Sequence, residues 1–307
     1  MPRIAYLGPQ GTFTEAALLQ MVDDGLIPWP GAVELVATES SAAALQAVRD
    51  GLADYACVPI ENSIEGSILP TLDSLASGAP LQVFAELTLD VAFSIVVRPG
   101  RRLEHVRKVA AFPTAAAQVR HWLARHLPKA EVVPSSSNSA AALDVAFGRA
   151  DAGVTTMLAA QRYELVELAS GIVDEANART RFVLAGAPGA PPPRTGADRT
   201  SVVLRIANVP GALVAALTEF GIRDIDLTRI ESRPTRTGLG TYVFFLDCVG
   251  HIDDGAVAEA LKALHRRCED VRYLGSWPTG AATGAVPPEM DEASRWLARL
   301  RDGEGRS

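Results

Sequence analysis

From Met1 to about Ser94, short apolar runs alternate with stretches of helical period. "RIAYLG", "VELVA" and "YACVPI" read as strands, with helices predicted from Thr12 and from Ser41 between them. Strands spaced by helices imply a parallel sheet with helices on both faces. The first helix opens on Thr12-Phe13-Thr14-Glu15, where Thr12 and Glu15 stand at capping-box spacing. A second set follows: "RKVAAFP", a helix over about 114–126, "AEVVPS", a helix over 139–149 and "DAGVTT". Between the sets lies "LQVFAELTLDVAFSIVV", whose length and internal Asp90 fit a strand pair crossing between two subdomains. The pattern predicts two α/β lobes with a cleft, and open α/β sheets bind ligands at the carboxyl ends of their strands.

The stretch "GAPGAPPPRTGADR" marks a linker, semi-rigid where proline dominates. Beyond it the order of apolar runs and helical stretches is βαββαβ, a ferredoxin-like plait of roughly eighty residues, the size of one small domain. The expected layout is a first domain over 1–186 with its second lobe at about 95–170, a linker at 187–199, the plait at 200–277, and a flexible tail at 278–307. The tail carries a short amphipathic helix around Met290 to Leu300.

Composition narrows the class. Of 307 residues, 48% are hydrophobic and 21% charged, a globular balance, and the length suits two domains. A net charge of -7 argues against life on nucleic acid, which needs clustered Lys and Arg. Three cysteines without CxxC spacing suggest neither a disulfide framework nor a zinc site. No basic n-region precedes the first strand and no apolar run reaches membrane-span length, so a cytoplasmic protein without membrane contact is expected.

Four constellations sit at strand mouths. In "YLGPQGTFT", Gly8 and Gly11 flank a turn after strand one, so backbone N–H groups and the Thr12 hydroxyl would face the cleft at a helix start. Such a turn favours an anion, although a well-capped strand-to-helix turn needs no ligand. In "VPIENSIEGS", Glu61, Asn62 and Ser63 follow a buried strand and present a carboxylate, an amide and a hydroxyl together, or merely cap the next helix. In the second lobe, Gln118 stands one turn after Thr114, and Ser137, Asn138 and Ser139 precede a helix as ordinary caps do. The fourth is "NARTRFVLAG", where Thr180 and Arg181 enter the last strand before the linker. These residues supply hydroxyls, amides, one carboxylate and one guanidinium, with no His dyad, Cys nucleophile, metal-ligand set or P-loop. A site of this kind holds a small anion and moves a proton without a metal or other cofactor.

"GPQGTFTEAA", "IENS", "NARTRF", "PGAL" and "ESRP", in that order, resemble the prephenate dehydratase family fused to a C-terminal ACT regulatory domain, in its actinobacterial form, from about residue 3 to residue 277. The resemblance implies a two-lobed, periplasmic-binding-protein-like catalytic domain whose cleft binds prephenate, a dicarboxylate, and converts it to phenylpyruvate. It also implies an ACT domain that binds L-phenylalanine as allosteric effector and joins chains into a homodimer, with a homotetramer as the larger assembly. The family's catalytic threonine, its arginine and its phenylalanine fall on Thr180, Arg181 and Phe182, and its cleft residues on Glu61, Asn62 and Gln118. Gly8, Gly11, Thr12, Phe13, Ser63, Ser137 and Ser139 join Phe182 as expected substrate contacts. A serine common in the family is Ala111 here, so no hydroxyl stands at that position.

Prephenate loses a ring carboxylate and a ring hydroxyl to become aromatic, so the chemistry needs positioning and a proton on the departing hydroxyl. On this reading Arg181 and the amides of residues 8–12 hold a carboxylate, Thr180 donates the proton, and Glu61 relays it or orients Asn62. In the ACT domain, Pro210, Gly211, Ala212 and Leu213 would let backbone amides reach the effector's carboxylate. Glu231, Ser232, Arg233 and Pro234 would line the same pocket. Two rivals stand: a non-catalytic amino-acid sensor, which leaves Glu61, Asn62 and Thr180 unexplained, and an arogenate dehydratase, which these motifs do not separate from prephenate use. The chain begins directly at the dehydratase strand, so a monofunctional enzyme is expected.

Overall fold

The computed structural model describes residues 1–175, 177–235, 240–280, 284–288 and 291–303, with only the backbone described over 291–294. The chain forms two compact units, Met1–Leu72 with Leu87–Ala185, and Asp73–Glu86 with Gly186–Ser307.

The first unit opens with β1 (Arg3–Leu7), α1 (Phe13–Asp23), β2 (Glu34–Thr38), α2 (Ser41–Arg49) and β3 (Tyr55–Asn62). The short β4 (Gly66–Ser67), α3 (Leu69–Ala76) and β5 (Gln82–Asp90) follow. β1 pairs in parallel with β2 and with β3, as the alternation predicts. The chain then builds a second lobe from β6 (Phe93–Val97), a 3₁₀ turn at Leu103–His105, β7 (Lys108–Ala111), α4 (Pro113–Gln118), α5 (Arg120–His126), β8 (Glu131–Pro134), α6 (Asn138–Ala146), β9 (Ala152–Thr155), α7 (Met157–Arg162) and β10 (Val166–Ile172). Its sheet order is β10-β6-β9-β7-β8. Here β7 runs parallel to β8 and β9, while β6 is antiparallel to β9 and β10. The strand pair expected to cross between subdomains is therefore β5 and β6, which lie in different sheets. The chain returns to the first sheet as β11 (Arg179–Gly186), giving the order β2-β1-β3-β11-β5 with β4 beside β3.

One predicted helix is broken. The stretch 114–126 splits into α4 and α5 at Val119, whose φ of -123° and ψ of 15° leave the helical region. Asp174, far along the chain, causes the split: its N–H donates to the Gln118 carbonyl, and its carboxylate accepts the N–H groups of His121 at 2.8 Å and Trp122 at 3.3 Å. A carboxylate on the first-turn amides starts α5 anew.

The second unit contains β12 (Asp198–Arg205), α8 (Ala212–Gly221), β13 (Leu227–Pro234), β14 (Tyr242–Val249), α9 (Gly255–Arg267) and β15 (Asp270–Pro278), the predicted βαββαβ order. Its antiparallel sheet runs β13-β14-β12-β15. One sheet face, with Val202, Leu204, Leu246 and Cys248, packs against Ala216, Phe220, Ala260 and Leu264 of the two helices. The tail helix is α10 (Asp291–Arg301); Met290 lies outside the described residues. No helix among the described residues is long and apolar enough to cross a membrane.

The segment Asp73–Glu86 precedes the second lobe in the chain yet packs within the second unit. Arg233 grips the Asp73 carboxylate with Nε and Nη2 at 2.9 and 3.0 Å. Arg272 donates to the carbonyls of Leu75, Ser77 and Gly78 at the end of α3, where a cation suits the helix dipole. The Trp277 indole donates to Glu86, and Arg199 lies 3.3 Å from the same carboxylate. The linker is likewise held: Gly189 N–H donates to Gln82, the Pro192 carbonyl meets the His251 ring, and Arg194 pairs with Asp254.

Gly275 allows this packing. It sits at a register shift between β12 and β15 with φ at +128°, and a Cβ there would lie 2.4 Å from the Val83 carbonyl oxygen. Gly275→Ala is therefore expected to cost about 2–4 kcal/mol. Gly66→Ala, at φ +81° with open space around it, should cost only about 1–2 kcal/mol. Denaturant unfolding of both variants checks the difference.

Candidate active site

A cleft of about 660 Å³ opens in the first unit at the carboxyl ends of β1, β2 and β7. One wall comes from the turn after β1 and the start of α1 (Gly8, Pro9, Thr12, Phe13, Thr14), the end of β2 (Thr38, Glu39), and Thr180 and Phe182 of β11. The facing wall is Phe112 with Ser136, Ser137 and Asn138 at the start of α6. Phe13 reaches across, edge-on to Phe93 with ring centroids 5.6 Å apart, and so joins the core of the second lobe.

Thr180 has a defined proton. The Asn62 side chain is oriented by its own loop, because Oδ1 accepts the N–H groups of Ile64 at 2.8 Å and Glu65 at 3.0 Å. Its Nδ2 must then point the other way, and it donates to Thr180 Oγ1 at 2.9 Å. The Thr180 oxygen is thus an acceptor in that bond, and its own hydrogen is left for a ligand. At 9% exposure the hydroxyl stands in a nearly dry place, where such a bond is strong.

Alternation along β11 places Arg181 elsewhere. Successive strand residues face opposite ways, so with Thr180 and Phe182 on the cleft, Arg181 lies on the far face of the sheet. There Nη2 meets Glu61 Oε2 at 3.0 Å, and neither residue lines the cleft. The guanidinium expected to hold a carboxylate beside Thr180 is thus paired with Glu61, the carboxylate expected to relay a proton or orient Asn62. Ser63 also stays out of the cleft: its hydroxyl accepts Arg179 N–H and donates to the Asn177 carbonyl, tying β11 to the end of β3. Gln118 lies at the α4–α5 break, off the cleft lining, with Oε1 buried and without a hydrogen-bond partner.

The turn after β1 is less open to an anion than its glycines suggest. Gly8 N–H donates to the Thr38 carbonyl, Pro9 has no N–H, and Gly11 N–H donates to the Glu15 carboxylate. Thr12 caps α1 as predicted, accepting Glu15 N–H, but Glu15 reaches back to Gly11 and so replaces the expected capping box. The amides left for a ligand are those of the first turn, at Phe13 and Thr14, which have no intrahelical acceptor. α6 repeats the arrangement from the other lobe. Ser137 caps it by accepting Ala140 N–H, while Ser139 turns away and donates to the Gln10 carbonyl rather than into the cleft. Behind α1, burial and then the Glu15 carboxylate push the Tyr6 phenol up to about 12, so it remains neutral.

Sequence reasoning missed Thr38, Glu39, Phe112 and Ser136 as cleft residues; Asn138 stood in the constellation before α6 and is in the lining. Glu39 is the one charged side chain among the described residues of the lining. Its position just past a strand end, ahead of the Ser40 cap of α2, is the signal that marked the other strand mouths. Asn138 keeps Oδ1 buried without a partner. Among the described residues no cluster of three His, Cys, Asp or Glu side chains is placed to hold a metal, and the cysteines are unpaired.

The second unit has its own cavity, of about 440 Å³, between the start of α8 and the neighbouring strands. Gly211, Ala212 and Leu213 line it with Asn208, Thr235 and Phe244. Gly211 caps α8 at φ +81°, a left-handed conformation that suits glycine. Pro210, Glu231, Ser232, Arg233 and Pro234 are not in this lining, and Arg233 is committed to Asp73.

Comparison with known proteins gives concordant matches. A family model described as prephenate dehydratase matches residues 4–189, and one described as ACT domain matches residues 200–266. A curated relative from Mycobacterium sp. (strain JLS), named prephenate dehydratase, is 73% identical over 307 residues, covering 99% of this chain and 97% of its own. One of the same name from Mycolicibacterium smegmatis is 72% identical over 309 residues, covering 99% of each. The crystal structure of prephenate dehydratase from Arthrobacter aurescens in complex with L-Phe matches with a TM-score of 0.87 at 39% identity, over 98% of this chain and 99% of that one.

Proposed function

The chain belongs to the prephenate dehydratase family, and from that premise we propose that the cleft of the first unit performs the dehydration with Thr180 as proton donor. The observation that carries this is the oriented Asn62–Thr180 hydrogen bond, which leaves the Thr180 hydrogen facing the cleft. Prephenate's ring carboxylate departs as CO2, and its bonding electrons flow into the ring. The C–O bond to the ring hydroxyl breaks as that oxygen takes a proton and leaves as water. Phenylpyruvate remains, so one proton is consumed for each turnover and no redox partner is required. This is a carbon–oxygen lyase reaction, for which a correctly placed acid contributes about 10²- to 10⁴-fold.

The dicarboxylate is held without a guanidinium. α1 and α6 aim their first turns at the cleft from opposite lobes, and a helix start attracts negative charge. Two such starts serve two carboxylates, with the Ser137 and Asn138 side chains beside one of them. Arg181 and Glu61 support β11 from behind, so their effect on turnover runs through the position of Thr180.

The cavity of the second unit takes L-phenylalanine, the molecule bound by the Arthrobacter aurescens relative. The first-turn amides of α8 suit its carboxylate, and the apolar lining suits its ring. Coupling of about 1–3 kcal/mol between effector and substrate is typical of such control. The assembly is a homodimer through ACT domains, with a tetramer as its larger form, in the cytoplasm, where unpaired cysteines are stable.

Purified protein is expected to form phenylpyruvate from prephenate, with L-phenylalanine suppressing the rate. Arogenate is run in parallel because the Glu39 carboxylate suits an ammonium group. Thr180→Ala should lower kcat by about 10²- to 10⁴-fold with KM little changed; a change confined to KM would make Thr180 a binding residue only. Asn62→Asp keeps the acceptor for Ile64 and Glu65 but turns the Nδ2 donor into an oxygen that takes the Thr180 proton, so kcat should fall about 10²-fold. Gly211→Val should abolish suppression by L-phenylalanine, read as the ratio of rates with and without it. An unchanged ratio removes the pocket assignment.

A further inference from the structure

A buried carboxylate needs a partner, and Glu15, 3% exposed in the first turn of α1, has one in each lobe. One oxygen accepts Gly11 N–H from its own turn. The other accepts Arg162 Nη2 at 2.9 Å, from the last residue of α7 in the second lobe. Arg162 Nη1 also donates to the Gln10 side chain. The same turn is gripped at its backbone: Thr156 Oγ1, the cap of α7, donates to the Gly11 carbonyl at 2.6 Å, and Ser139 Oγ of α6 donates to the Gln10 carbonyl. A side chain at Gly11 would bring its Cβ within 2.8 Å of Ser139 Oγ and 2.9 Å of Ala159 Cβ, so the two lobes meet closely at this glycine.

These contacts lie one or two residues from both cleft walls. Gly11 is followed by Thr12 and Phe13 of one wall, and Ser139 follows Asn138 of the other. We propose that Glu15 and Arg162 are positioning residues for the dehydration, a latch that clamps the Gln10–Gly11 turn to the second lobe and thereby sets the width of the cleft. The proposal rests on the reading of that cleft as the active site. Neither residue lines the cleft, and both act through the first turns of α1 and α6. A misplacement of about 1 Å in such a site costs about 10²-fold in rate.

Steady-state kinetics with prephenate on the full chain test this, together with amide hydrogen exchange of residues 10–14. Arg162→Met and Glu15→Gln are each expected to lower kcat by about 10- to 100-fold. They should also raise KM, because both walls touch substrate, and speed exchange over residues 10–14. Loss of folded protein alone would lower the apparent kcat and leave KM in place. The double variant should be no worse than the poorer single one, and Arg162→Lys should recover much of the loss. Should Arg162→Met not fold, Glu15→Gln and Thr156→Val, which removes the hydroxyl on the Gly11 carbonyl, still decide, both being expected to lower kcat and raise KM. Wild-type kcat and KM in those two variants, or single effects that multiply in the double, overturn the latch. Thr180→Ala separates the premises: full activity there defeats the cleft reading, whereas an inactive Thr180→Ala beside unaffected latch variants defeats the latch alone.

Discussion

The catalytic unit depends on one pairing made late in the chain. Asn62 and Thr180 are 118 residues apart, and the hydrogen bond between them marks the place where β11 returns beside β3 after the chain has built an entire second lobe. Until that return the first sheet lacks an interior strand, and the hydroxyl and the amide that orients it are on separate pieces of chain. The loop closure this requires is entropically costly. It is offset by a strand buried over nearly its whole length, from Thr180 to Gly186. The same burial makes the alternation along β11 strict. Along that strand the Arg181 guanidinium, removed from water with the rest, pairs with Glu61.

The second unit meets a different cost. Arg199, Arg229, Glu86 and Asp247 are all nearly buried, and charges removed from water are tolerated only when paired and hydrogen-bonded. Asp247 sits between the two arginines and accepts the Ser201 hydroxyl at 2.7 Å; Glu86 takes Arg199 and the Trp277 indole. Glu86 comes from the segment that the catalytic sequence lends to this unit. The lent segment is thus chemically required, since without its carboxylate Arg199 would lose a buried partner.

Much of this is legible in the amino-acid sequence. Local chemistry carried through well: Thr12 and Ser137 cap their helices, the βαββαβ plait follows its apolar runs, and the strand mouths hold the cleft. What could not be read depends on distant residues. Asp174 breaks a helix whose own sequence has no reason to stop, and Arg162 claims a Glu15 whose spacing fits a capping box. Nothing in the composition of residues 73–86 says that their partners lie near Arg233 and Arg272. Arg181 is a different case, because period two sets it on the opposite side of β11 from Thr180 and Phe182. Glu39 and Ser136 escaped because they stand outside the motifs.

The borrowed segment bears on how such a chain could be inherited in pieces. The linker is the seam that composition marks, the place where one gene would be joined to another. A split there would leave Asp73 and Glu86 on one product and Arg233, Arg199 and Trp277 on the other, with a strand, β5, that begins in one body and ends in the other. The part that recombination could exchange and the part that folds have different borders, so swapping one regulatory module for another would require residues 73–86 to change with it.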